Sequence, residues 1–133
     1  MSSDPRVAFW RRMLGPFPHA CYGQTQRGGK KLTYLKARAI ENRLDDVAGR
    51  EGWWTAYRET KSGYVCSLTI VCPTRDGGWI AVTKEDGGGT EDMGHTDRQS
   101  GEWVADDDAT EKSAFTNSFR RAAKTFGFAR ELY

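Results

Sequence analysis

The sequence predicts an α+β domain built in the order helix, three-stranded antiparallel meander, long acidic loop, C-terminal helix. Three observations lead there. Apolar residues recur at three- and four-residue steps through LTYLKARAIENRLDDVAG, from Leu32 to Gly49. The period then drops to two over three runs rich in aromatic and β-branched residues, separated by KSG and PTRDGG turns. A second helical pattern fills KSAFTNSFRRAAKTFGFARELY, from Lys112 to Tyr133. With 133 residues, 38% of them hydrophobic and 12% aromatic, the chain suits one compact domain with a real core.

Taken in order, residues 1–31 form a basic, poorly patterned N-terminal arm, and residues 32–133 a single domain. Within the arm, VAFWRRML (Val7–Leu14) has the makings of a short helix, stopped by Gly15, Pro16 and Pro18. QTQRGGKK (Gln24–Lys31) reads as a flexible basic loop. The first long helix is expected to start near Thr33, to carry Leu35, Ala39, Ile40, Leu44 and Val47 inward, and to stop at Gly49. Strands are expected over Trp53–Thr60, Tyr64–Cys72 and Trp79–Lys84. Residues 85–107 are glycine-rich and acidic, which predicts a long loop. DATE (Asp108–Glu111) has capping-box spacing, so the last helix is expected from about Ala109 to Phe126, ended by Gly127.

The net charge of +2 conceals a strong segregation. Residues 1–43 carry nine Lys/Arg against two Asp/Glu, residues 85–111 one against ten, and residues 112–133 five against one. Two basic segments that meet in the fold would create a field far larger than the total implies. The three cysteines, Cys21, Cys66 and Cys72, have no Cys-x-x-Cys or paired-histidine spacing, which argues for free buried thiols and against a structural zinc site. No apolar run reaches transmembrane length and no signal-peptide core is visible, so the expectation is a soluble, cytoplasmic protein with no membrane partner.

On a helical wheel, Phe115, Phe119, Ala122, Ala123 and Phe126 fall within an arc of about 100° that should pack on the sheet. Ser113, Asn117, Arg120, Arg121 and Lys124 occupy a second arc on which every charge is positive, and residues 112–130 contain no acid. Surface helices commonly mix signs in i, i+4 pairs. An acid-free arc suits phosphates, with Arg and Lys neutralising charge and Asn and Ser adding hydrogen bonds. The bland alternative is a basic face that solubilises the domain or pairs with the acidic loop.

Three segments, YLKARAIENRLDDVAGREGW (Tyr34–Trp53), VTKEDGG (Val82–Gly88) and KSAFTNSFRRAAKTFGFARELY, together resemble the Rad-fifty-two superfamily of single-strand annealing proteins. The nearest flavour resembles bacterial DdrA (DNA-damage-response A) and phage Sak-type members. The resemblance covers about residues 33–133. It implies a β-β-β-α core after an opening helix, binding of single-stranded DNA, and annealing of complementary strands without nucleotide hydrolysis. It further implies a homo-oligomer, a ring or helical array with DNA along a basic groove, acting in repair or recombination near the nucleoid, with a recombinase as a candidate partner. No enzyme activity, cofactor or metal is implied. Carried onto this chain, the doubly basic step is Arg120 and Arg121, the next basic residue is Lys124, and an earlier one is Lys112. An arginine of the opening helix in eukaryotic relatives has Arg38 as its nearest counterpart, one position out of register, with Arg43 or Lys36 as alternatives.

Trp54 and Tyr57, at the start of the sheet, are candidates for stacking on bases, against the commoner fate of core packing. RGGKK (Arg27–Lys31) offers a second DNA contact or a mere arm. Two other functions compete: a relative that protects DNA ends or recruits a recombinase without annealing, and a metal-dependent nuclease using the acidic segment. The nuclease reading is the weaker, because such enzymes fix their carboxylates on rigid elements.

Overall fold

A computed structural model describes residues 4–27, 29–89, 94–96, 103–105 and 111–132. The chain opens with helix α1 (Pro5–Leu14), capped by the Asp4 carboxylate, which accepts from the Arg6 backbone N–H. A short 3-10 turn (His19–Cys21) leads into β1 (Tyr22–Arg27), which pairs antiparallel with β2 (Lys30–Leu35). Helix α2 (Ala37–Ala48) follows, then β3 (Trp53–Thr60), β4 (Gly63–Pro73) and β5 (Trp79–Gly89) in one antiparallel sheet of order β3-β4-β5. A small hairpin, β6 (Gly94–Thr96) with β7 (Trp103–Ala105), precedes helix α3 (Glu111–Phe126). The fold is α+β as expected.

Three expectations need correction, one of them the long loop expected over residues 85–107, where Glu85–Gly89 extends β5 and Gly94–Thr96 pairs with Trp103–Ala105. The segment read as a flexible basic loop is a paired hairpin, Gln24 opposite Thr33 and Gln26 opposite Lys31. Because Lys30–Leu35 belongs to that hairpin, α2 begins at Ala37 and not near Thr33. The expected capping box at Asp108 lies outside the described residues.

The sheet has an inner and an outer face because side chains alternate along each strand and directly paired residues share a side. Along β4 the inner residues Cys66, Leu68, Ile70 and Cys72 are buried. Their partners are Tyr57, Thr55 and Trp53 on β3, and Asp86, Lys84, Val82 and Ile80 on β5. Every helix packs on this face. Phe9 and Met13 of α1, Ile40 and Leu44 of α2, and Phe119, Ala122, Ala123 and Phe126 of α3 complete the core. Trp10 stacks on Phe126 with ring centroids 5.9 Å apart, which ties α1 to the end of α3. The opposite face carries Trp54, Thr69 and Thr83 in one cross-strand row, and among the described residues no helix covers it.

The segment RLDDVAGREGW (Arg43–Trp53) shows why its residue types are needed. Leu44 is fully buried, and the Asp45 carboxylate accepts the Trp53 indole N–H at 2.8 Å. The helix closes with the Gly49 N–H donating to the Asp45 carbonyl at 3.1 Å. A Cβ on Gly52 would sit 2.0 Å from the Ala48 carbonyl oxygen, so only glycine permits this tight passage into β3. Trp53 then packs against Phe119 of α3 at 6.2 Å between centroids. One short stretch thus joins α2, β3 and α3.

Candidate nucleic-acid interface

Helix α3 lies across β4 and β5. Phe119, Ala122, Ala123 and Phe126 are buried as the wheel predicts, and the half-buried Phe115 stacks on Tyr64 at 3.9 Å. Ser118 is also fully buried, donating its hydroxyl to the Phe115 carbonyl at 2.8 Å, which absorbs its polarity within the helix. Lys84 of β5 reaches under the helix end and donates to the Thr125 carbonyl at 3.2 Å, a cation placed where the helix dipole is negative.

With the apolar arc committed to the sheet, the basic arc runs from the helix flank, beside the sheet, to its exposed back. Arg121 and Lys124 are exposed, and Arg120 is partly buried. The Arg120 guanidinium sits 4.7 Å from the centre of the Tyr34 ring. Tyr34 lies across Gly23 on the neighbouring strand, where a Cβ would come within 2.5 Å of the ring. Gly23, Tyr34 and Arg120 therefore form a stack that joins the β1–β2 hairpin to α3. The Arg121 Nε is 3.7 Å from Asp86 Oδ2 on the inner face of β5. On the same side of α3 as Lys124, the Asn117 Nδ2 is shielded from solvent and has no hydrogen-bond partner among the described residues.

The other predicted residues fall in different places. Arg38 is exposed on the first turn of α2, four residues beyond Tyr34. Lys112 lies on the first turn of α3, and its side chain is outside the described residues. Trp54 is 49% exposed on the outer face, so the whole sheet stands between it and the basic arc. Tyr57 is on the inner face and meets Phe115 edge-on at 4.9 Å. Burial, with Cys66 beside it, pushes the Tyr57 hydroxyl up to about 12.

The two alternatives weighed for the opening helix are both engaged within the chain. Lys36 Nζ donates to the Ala20 carbonyl at 3.2 Å. The Arg43 guanidinium donates to the carbonyls of Arg12, Met13, Gly15 and Pro16 at 2.9–3.1 Å and lies 3.8 Å over the Phe17 ring. It fastens the end of α1 to α2.

Sequence reasoning passed over Tyr34 and Asp86. Tyr34 was visible only as an aromatic residue opening a resembling segment. Asp86 was lost among its acidic neighbours, although the two-residue spacing from Lys84 would have put it on the helix-facing side of β5.

Among the described residues no group of three or more His, Cys, Asp or Glu could hold a metal ion, and no helix is long and apolar enough to cross a membrane. None of the curated proteins compared with the chain matches it. A family model described as Rad52/22 family double-strand break repair protein matches residues 13–133, which takes in every element bearing on α3 except most of α1. Proteins of that family act in DNA repair and annealing, bind DNA, oligomerise, and are not known enzymes. A match over nine-tenths of its length means that this chain belongs to the Rad52/22 family of double-strand break repair proteins.

Proposed function

We propose that the chain binds single-stranded DNA and promotes annealing of complementary strands without nucleotide hydrolysis, working as a homo-oligomer in repair or recombination. The observation that carries this reading is the acid-free back of α3, with Arg121 and Lys124 exposed and Arg120 braced on Tyr34. Cations on a rigid helix grip a strand by its phosphates and leave the bases free to test a complement. Arg38, exposed on the first turn of α2, and Lys112 are proposed as further phosphate contacts, and the basic β1–β2 hairpin flanks α3 through Tyr34. One domain offers few phosphate contacts, so an array of copies, ring or helical, supplies avidity along one strand. Within the family, RLDDVAGREGW and the α3 pattern favour the DdrA and Sak-type branch, and a nucleoid-associated place in the cell follows from the substrate.

A second reading, a relative that protects ends or recruits a recombinase, draws on the open outer face, where Trp54 and Trp79 are 49% and 69% exposed. Large exposed aromatics suit protein partners. Incubating the protein with complementary labelled oligonucleotides, in EDTA and in magnesium, separates the readings. Metal-independent pairing supports annealing, binding without pairing supports the second reading, and metal-dependent strand loss would mean a nuclease.

A further inference from the structure

We propose that Asp86 is a built-in competitor for the strand: its carboxylate occupies Arg121 in the free protein and must be displaced by a phosphate when DNA binds. This rests on the reading of α3 as the strand-holding face. Three features support it. Asp86 is the inner-face partner of Cys66 on β5, which directs its side chain toward α3 and away from the outer face. Its Oδ1 accepts the Gly87 N–H at 2.7 Å, which orients the group and leaves Oδ2 turned to Arg121 at 3.7 Å. Both side chains are substantially exposed, 44% for Arg121 and 36% for Asp86, so the pair is loose and in reach of an incoming anion.

A carboxylate and a phosphate oxygen are alternative ligands for one guanidinium, and their like charges repel when both approach it. The neighbouring cation on that face of the strand, Lys84, is already engaged with the Thr125 carbonyl. The effect of Asp86 is to weaken the grip on each phosphate. That suits a protein whose product, a duplex, has to leave. Glu85, one residue earlier, makes an internal control. It points to the outer face, where it accepts from Ser67 at 2.8 Å and lies 3.6 Å from Arg58.

The test is equilibrium binding of a fluorescent oligothymidylate at low salt by Asp86→Asn, Glu85→Gln, Arg121→Ala and the Asp86→Asn, Arg121→Ala double variant. Asn keeps the oxygen that accepts from Gly87 and removes only the charge, and thermal denaturation confirms that each variant is folded. The inference predicts that Asp86→Asn binds about two- to fivefold tighter, the range of a surface ion pair. It predicts no gain for Glu85→Gln, and no gain from Asp86→Asn once Arg121 is absent. If Arg121→Ala weakens binding but Asp86→Asn does not strengthen it, or if the gain persists without Arg121, the inference is overturned and the α3 reading stands. Unchanged binding by Arg121→Ala together with the Arg120→Ala, Arg121→Ala variant would overturn both.

Discussion

Helices α2 and α3 both put arginine on an amphipathic frame, and they use it in opposite ways. On α2, Arg43 turns inward, meets four carbonyl oxygens and the face of Phe17, and closes the end of another helix. On α3, Arg120 and Arg121 remain at the surface, one resting on a tyrosine ring and the other on a half-exposed carboxylate. The difference lies in what surrounds each position. The carbonyls at the end of α1 have no intrahelical donors, so a guanidinium beside them is absorbed into the fold. Around Arg120 and Arg121 the described residues place a tyrosine ring and a partly exposed carboxylate, contacts that leave both guanidiniums at the surface of the fold. Positive charge in a sequence is therefore not a binding site until the local acceptors have been counted.

The comparison can be broken first at Arg43. Arg43→Ala strips the donors from the α1 terminus and is expected to cost about 2–3 kcal/mol of unfolding free energy, read from urea denaturation. A loss under about 0.5 kcal/mol would mean that water serves those carbonyls equally well. The buried inner face makes a pH prediction. Burial pushes the Cys66 thiol up to about 11 from an ordinary value of 9.0, and Tyr57 rises for the same reason. Above pH 9 the unfolded chain loses these protons before the folded one does, so folding stability falls as pH climbs from about 9 toward 11. Cys66→Ala should flatten that decline, and an identical slope in both proteins would contradict it.

At the other pole, Lys124→Ala should weaken oligothymidylate binding a few-fold and reduce the slope of log affinity against log salt by about 0.7, the single-strand value for one phosphate contact. The smallest effect belongs to the outer face. Trp54→Ala should change single-strand affinity by less than about twofold, whereas a lost base stack is worth about 1–3 kcal/mol.

Most of the scaffold was legible from the residues. β3 spans the expected Trp53–Thr60, and α3 stops where Gly127 predicts. β5 runs five residues past Lys84, because the long β4 supplies partners for Glu85 through Gly89 that strand propensity alone does not suggest. The β1–β2 hairpin escaped notice because only its two ends meet the core, with Leu35 buried and its partner Tyr22 packed beside it, too little for a period to register among the residues whose burial is described. In the site, the basic arc of α3 could be read from the wheel, since the angle between two faces of a helix is a local property. Tyr34 beneath Arg120 and Asp86 beside Arg121 could not. Both belong to strands that meet α3 only through tertiary packing.

The most direct test of the account is single-stranded DNA binding by a folded Arg120→Ala, Arg121→Ala variant across a salt series. If the back of α3 holds the strand, affinity falls at least about tenfold and the salt slope shrinks by about 1.4, with the melting temperature essentially unchanged. Wild-type affinity and slope in that variant would place the strand elsewhere and contradict the account.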